Sequence, residues 1–448
     1  MAQRQVLSLR TAVSTSAGLA SAAINFLACV EIAEYAGGPS VWIALLVSGG
    51  LIVFSASNFA ELSGLYPSAA AIRVWTRRGL NDSLSLIISL VYALTVVFVI
   101  AADAFVLAQA FHAAVPAIPG WVWITALLLL VLWANLRGIR MAGRIQDINA
   151  ILLLITLSVI AAVILWKGPL PPVRQFFHLG HGIFQSIALG VFIYVGFEWV
   201  TPLAEEFSDV RAIPRGMYMA LGLIAIAFGL FSEALTVIFP RPGELGSTLI
   251  PQLIAGQKAL GLLGFWWMLF ITATTAMTTF NGGLFTASRF VYALAREKVL
   301  PKKFSRLNAH WVPSYALVAI VVLSLILALI IFATGQYAVL INAGAGVEGL
   351  VYALSALLVI RLRKKEPSRA RPFRAVGVPW VTAVIGVVFL LLGTAALFTS
   401  SSAVPWAFLF IAALSLLVTL YVYILLPRIK GKATKVKRLG MTSEETTE

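Results

Sequence analysis

One cysteine, four histidines and very little charge are what this 448-residue chain has least of. Cys29 has no second cysteine to pair with, so no intrachain disulfide forms, and inside an apolar run it reads as a small filler. His112, His178, His181 and His310 all fall in expected loops or helix ends. His178 and His181, three apart, have no further ligands clustered beside them and read as exposed loop residues rather than a metal site. The lone Cys has no His beside it, and no phosphate-cradling Gly-Lys motif occurs, so the constellations that enzymes need are missing. Charged residues make up 11% of the chain against 60% hydrophobic ones, and the mean hydropathy is +0.95. That composition excludes a water-soluble domain of this length and leaves a polytopic membrane protein.

Twelve apolar runs approach the length that crosses a bilayer: residues 13–35, 41–65, 84–111, 118–135, 148–166, 184–204, 216–239, 260–290, 314–333, 337–360, 380–398 and 404–426. The fourth is the shortest. The opening residues are polar and basic, and the run after them is too long for a signal segment, so it is expected to stay as a first span. The net charge of +15 is placed by topology. With the N-terminus cytoplasmic, 29 of the 33 Lys and Arg fall on the inner side, and the outer loops keep Lys167, Arg174, Arg241 and Lys258. This bias puts both termini in the cytoplasm and makes the charge a topology and lipid-contact signal rather than a nucleic-acid footprint.

The run 184–204 carries Phe192-Ile193-Tyr194-Val195-Gly196-Phe197-Glu198. A Gly and a carboxylate interrupt what should be unbroken hydrocarbon, which gives either a kinked helix whose Glu snorkels or a broken helix whose loose backbone meets a solute. The first run holds the small-residue stretch Gly18-Leu19-Ala20-Ser21-Ala22-Ala23, open to close packing or to unwinding. Asp103 lies midway along the third run with no Lys or Arg in that span, either bonded to a neighbouring helix or facing a cation. Glu31 and Glu34 read as solvated end charges, and Glu233 as a rim residue. The eighth run has Thr272, Thr274, Thr275, Thr278, Thr279 and Asn281, whose hydroxyls and amide either bond back to their own helix or coordinate an ion or solute. The tenth has Gly344, Gly346, Glu348 and Gly349. The fifth run reads as apolar and has no basic residue.

Five stretches stand in register with the twelve runs: Ala60-Glu61-Leu62 with Tyr66-Pro67-Ser68; the loop from Asn135 to Gln146; Tyr194-Val195-Gly196-Phe197-Glu198; Ser288-Arg289 through Leu300-Pro301; and Arg371-Pro372-Phe373-Arg374. Together they resemble the amino acid–polyamine–organocation superfamily of transporters, the amino-acid permeases, over nearly the whole chain. The resemblance implies an all-α polytopic fold, similar to the leucine transporter. Two inverted five-helix repeats, 13–166 and 184–360, would be followed by two helices in 380–426, between cytoplasmic ends at 1–12 and 427–448. The first helix of each repeat would be interrupted at mid-membrane. By the same resemblance Ala20, Ser21 and Ala22 would serve a substrate's carboxylate, and Ile193, Tyr194 and Gly196 its ammonium group. Phe192 or Phe197 would close over it; the mid-span acids Asp103 and Glu198 and the amide of Asn281, read from their own chemistry, are the further candidates for the site. Free helix amides attract an anion and free carbonyls a cation, so the scheme is sound electrostatics.

Two departures stand out. Where the family has a Gly-Ser-Gly type first helix, this chain has Ala20-Ser21-Ala22-Ala23 and then Asn25, whose methyls restrict backbone approach. No Lys occurs in 148–166, so coupling through a fifth-helix lysine is not supported. Thr278 and Thr279 leave a sodium site open, beside proton coupling or exchange with no ion, and no other cofactor is implied. The expectation is a secondary transporter in the plasma (cytoplasmic) membrane that moves amino acids by alternating access. The alternative is an amine or polyamine carrier of the same fold, motivated by Asp103, Glu198 and Glu348. A channel is disfavoured because interrupted helices in paired positions signal alternating access. The sequence sets no oligomeric state.

Overall fold

The computed structural model describes residues 8–427 except 69, 138–142, 242, 245–247 and 400–403. Much of the motif loop between Asn135 and Gln146, residues 1–7 of the expected N-terminal end and 428–448 of the C-terminal one therefore lie outside the described residues. The described elements are helical throughout. Without water to satisfy backbone polar groups, an apolar chain of this kind satisfies them within helices.

The first span is two helices, α1 (Leu9–Ala20) and α2 (Asn25–Ala36). Then come α3 (Val41–Leu65), a short α4 (Ala71–Gly79), α5 (Asp82–Ala114), α6 (Gly120–Leu136), α7 (Gly143–Lys167) and a single turn α8 (Val173–Phe176). The sixth span is α9 (Ile183–Gly190), a tighter turn Val191–Tyr194 and a second tight helix Phe197–Glu206. After it come α10 (Ala212–Ile238), α11 (Pro251–Arg296, bent at Gly261), α12 (Ser314–Thr334), α13 (Tyr337–Lys365), α14 (Trp380–Phe398) and α15 (Trp406–Leu420). Ten of the described helical segments are long and apolar enough to cross a membrane; α6 is apolar but shorter, and the first span is split.

The buried face of each span points to a shared centre, while the outward faces keep bare Leu, Val, Ile and Trp side chains for lipid. α5, the longest straight element, packs against α6, α11, α12 and α13. Its middle is fully buried from Ile100 through Ala108, which is what places Asp103 in the interior. α13 and α14 approach closely through glycine: a Cβ on Gly349 would stand 2.7 Å from the Cα of Gly393. Small residues at such a crossing are how membrane helices gain contact without a hydrophobic driving force.

The end that carries most of the basic residues is held together by two ion-pair groups. Glu61 at the foot of α3 accepts from Arg363 Nη2 (2.6 Å) and Nε (3.0 Å), Arg371 Nε (3.1 Å) and the Ala375 amide (2.7 Å). Arg73 of α4 pairs with Asp82 (2.6 Å) and Glu297 (3.2 Å). Two of the motif stretches singled out above, at Glu61 and at Arg371, are thus one contact. At the opposite end Glu233 is not a solvated rim residue. It is buried and accepts from the Trp42 amide at 3.2 Å, capping the start of α3.

Candidate functional site

In the first break, α1 closes with the Ser21 amide on Ala17 O, and regular helix resumes at Asn25. Ala20, Ser21 and Ala22 are all buried there. The Ile24 amide at the start of α2 donates to Asp103 Oδ1 at 2.8 Å, across 79 residues of chain. A helix N-terminus carries free amides and a positive end, and a carboxylate is its natural partner. Here that carboxylate belongs to the protein. The carbonyls beside it are also engaged. Asn25 Nδ2 donates to Ala20 O at 2.7 Å and to Ile193 O at 3.2 Å, so one side-chain amide ties the two breaks together. Asp103 is fully buried, and its second oxygen, Oδ2, has no hydrogen-bond partner.

In the second break the chain turns on Gly196 at φ 110°, a conformation costly for any residue with a Cβ. Glu198 is fully buried and does not snorkel. Its Oε2 accepts from the Gly196 amide at 3.3 Å and from the Tyr352 hydroxyl at 3.2 Å; its Oε1 accepts from the Tyr92 hydroxyl at 3.1 Å. Tyr194 donates its hydroxyl to Leu45 O at 2.8 Å. Phe192 packs on Gly344 of α13, and Phe197 lies edge-on to Phe59 with its centroid 6.0 Å away. Neither phenylalanine lines the central cavity. The ring that does is Trp199, stacked on Tyr92 at 4.8 Å.

That cavity, about 30 Å³, is bounded by Thr95, Val99 and Ile100 of α5, Val195, Gly196 and Trp199 of the sixth span, and Thr279 and Gly283 of α11. That is far less room than an organic amine or an amino acid needs. Glu348 of α13 is fully buried, and neither of its carboxyl oxygens has a hydrogen-bond partner.

The polar residues of α11 divide. Thr279 lines the cavity and donates back to Thr275 O at 3.3 Å. Thr278 donates to Thr274 O (2.8 Å) and accepts from Asn149 of α7 (3.3 Å). The fifth span is therefore not wholly apolar: its amide reaches the threonine considered for sodium. Asn281 is not brought to the cavity. It donates to Met277 O and accepts from Asn135 Nδ2 at 2.8 Å. At 100° per residue it faces away from Thr279 and Gly283. Among the described residues, no three His, Cys, Asp or Glu side chains group in a way that would hold a metal ion.

Sequence reasoning noted Asn25 only as a neighbour of the altered first helix and passed over Tyr92, Thr95, Trp199 and Tyr352. Their signal is faint. Each is a polar or amphipathic side chain in mid-span, and such groups normally have a buried partner.

A family model described as amino acid permease matches residues 13–438. The mouse (Mus musculus) large neutral amino acids transporter small subunit 2 is 28% identical over 298 residues, covering 64% of this chain and 52% of that protein. The chain thus spans about half the length of that relative. The low-affinity putrescine importer PlaP of Escherichia coli K12 is 23% identical over 332 residues, 70% of this chain and 72% of the importer. Among solved structures, the Eremococcus coleocola manganese transporter superposes with a TM-score of 0.60 at 13% identity, covering 94% of this chain and 95% of that one.

Proposed function

The chain belongs to the amino acid permease family, and from that premise we propose that it is a secondary transporter whose preferred substrate is a small organic amine bound as a cation. The observation that carries this reading is the Asp103–Ile24 hydrogen bond. An amino acid would bring its own carboxylate to the amides that open α2. With Asp103 on them, the substrate needs no carboxylate, and the unpartnered Asp103 Oδ2 offers an acceptor to an ammonium group. The resemblance of part of the chain to a putrescine importer supports the same class. The small volume of the cavity supports alternating access, since an organic solute needs more room than its present lining leaves.

The halves 13–166 and 184–360 serve as inverted repeats, each opening on a broken helix, and 380–426 packs outside them. Ala20, Ser21 and Ala22 line the first break. Ile193, Tyr194, Gly196 and Glu198 line the second, with Trp199 in the covering role first given to Phe192 or Phe197. Thr278 and Thr279 remain the candidate ion contacts. The charge bias orients both termini to the cytoplasm of a plasma-membrane protein.

A second reading, amino-acid transport, is favoured by the similarity to the large neutral amino acid transporter. It requires Asp103 to leave the Ile24 amide when substrate arrives. Uptake into proteoliposomes, with unlabelled amine and amino-acid pools as competitors, separates the two. Competition by amines and polyamines alone supports the cation reading. Competition by zwitterionic amino acids alone overturns it.

A further inference from the structure

The helix breaks and Asp103 account for a substrate site but leave Glu348 with no task and Glu198 with no more than a place in the lining of the second break. We propose that these two carboxyl groups form a proton-binding site, with Glu348 carrying the proton that couples transport. The proposal rests on the transporter reading, not on which substrate class is moved.

The argument is one of donors and acceptors. Glu198 receives three donors: the Tyr92 and Tyr352 hydroxyls and the Gly196 amide. That environment suits an ionised carboxylate, which only accepts. Glu348 lies one helical turn before Tyr352 on α13, and thus on the same face. It receives no donor at all. The Thr95 hydroxyl beside it has already given its single proton to Tyr92 O at 2.7 Å. Thr95 can therefore accept from Glu348 but not donate to it, which suits a protonated acid.

Among the described residues, no ion pair or hydrogen bond joins a cation to either carboxyl group. From α5 the facing groups are Tyr92 and Thr95; from α13, Tyr352; from α3 and α14, the uncharged rings of Phe59 and Phe389 that pack on Tyr352. Asp103, the next acid, lies eight residues beyond Thr95, about 12 Å along α5. The buried arginine side chains Arg73 and Arg371 are held at the basic end by Asp82, Glu297 and Glu61. Two ionised carboxylates sharing such a site is the state that like-charge repulsion and desolvation exclude. One proton therefore resides there while the site is closed. When the break opens to water on either side, Glu348 exchanges that proton with water, leaving a carboxylate and a hydronium ion. Gly196 and Thr95 also line the central cavity, so the opening that admits solute reaches the pair.

The test uses the full-length protein in proteoliposomes with pyranine sealed inside. Substrate exchange between equal pools (counterflow) is measured first, using labelled amine and labelled amino-acid mixtures. An inward proton gradient of about one pH unit is then applied, which supports about a tenfold accumulation for each coupled proton. The wild type is expected to accumulate the exchanged substrate and to acidify the lumen. Glu348→Gln is expected to lose the gradient-driven accumulation relative to its own counterflow, by the whole of that factor. Glu348→Asp, which keeps the ionisable group, should recover part of it. Wild-type exchange without any response to the proton gradient overturns the proton site. An undiminished response in Glu348→Gln overturns it equally. Failure of both pools to exchange overturns the transporter reading instead. Should Glu348→Gln not fold, Tyr352→Phe with the wild-type gradient response decides the matter. Removing one donor from Glu198 should shift the pH at which coupling is half-maximal, and an unmoved pH profile counts against the pair.

Discussion

The two broken helices meet at the centre of the molecule, yet they are broken by different means. The second turns on Gly196, and its own Glu198 reaches back to the freed amide. The first has no glycine between Ala20 and Asn25; its freed groups are held by side chains, Asp103 from α5 and Asn25 from the resumed helix. One break is thus written into local backbone freedom, while the other exists because partners elsewhere satisfy it. An orphaned backbone group in an apolar interior costs several kcal/mol, so the first break is only as secure as its two side-chain partners. It is also the more easily altered for substrate, since a side chain can be replaced without disturbing the turn.

Five substitutions would break or sharpen that contrast. Asp103→Asn has the largest expected effect. It keeps the shape but removes the charge from a charge-assisted bond, about 1.5–3 kcal/mol, so amine uptake should fall by about 10–150-fold. Unchanged uptake of every cationic substrate would remove Asp103 from the site. Asn25→Ala leaves the carbonyls of Ala20 and Ile193 without their donor and should destabilise the protein by about 1–3 kcal/mol, read as a lowered thermal midpoint in detergent. An unshifted midpoint would mean that the two breaks do not depend on this tie. Gly196→Ala forces a Cβ into a left-handed turn, about 1–2 kcal/mol, and should slow transport by about 5–30-fold. The matching change in the first break, Ala22→Gly, should alter transport little, because Asp103 and not glycine supports that turn. Tyr92→Phe removes one of three donors to Glu198 and should cost about 1 kcal/mol, roughly fivefold in transport, with uptake as the readout.

The architecture was largely legible. The runs 41–65 and 380–398 coincide with α3 and α14, because a bilayer enforces both length and apolarity. Both breaks stand where the small residues and the Gly-Phe-Glu step suggested. The site was less legible, because its contacts join residues far apart in sequence. Asp103 meets Ile24 across 79 positions, and Glu198 meets Tyr352 across 154. Hydropathy ranks a tyrosine in mid-span as filler and cannot say which carboxylate it serves. Asn281 was grouped with Thr278 and Thr279 because they share one helix, but helical rotation sends it toward Asn135. Glu233 resembled a rim charge by its place near a span end, and only the packing of α10 on α3 shows that it caps a neighbour.

The grip on Glu61 bears on how such a molecule moves. Four bonds from Arg363, Arg371 and Ala375 converge on one carboxylate that is almost wholly shielded from solvent. Pulling α3 away from α13 would strand a buried charge, a penalty of several kcal/mol. The cheaper motion carries α3, α13 and the loop behind them as one rigid body, with the hinge displaced to elements that bear no such anchor. A spin label on α3 paired with one on α13 near this end is expected to report one fixed separation whether or not substrate is present.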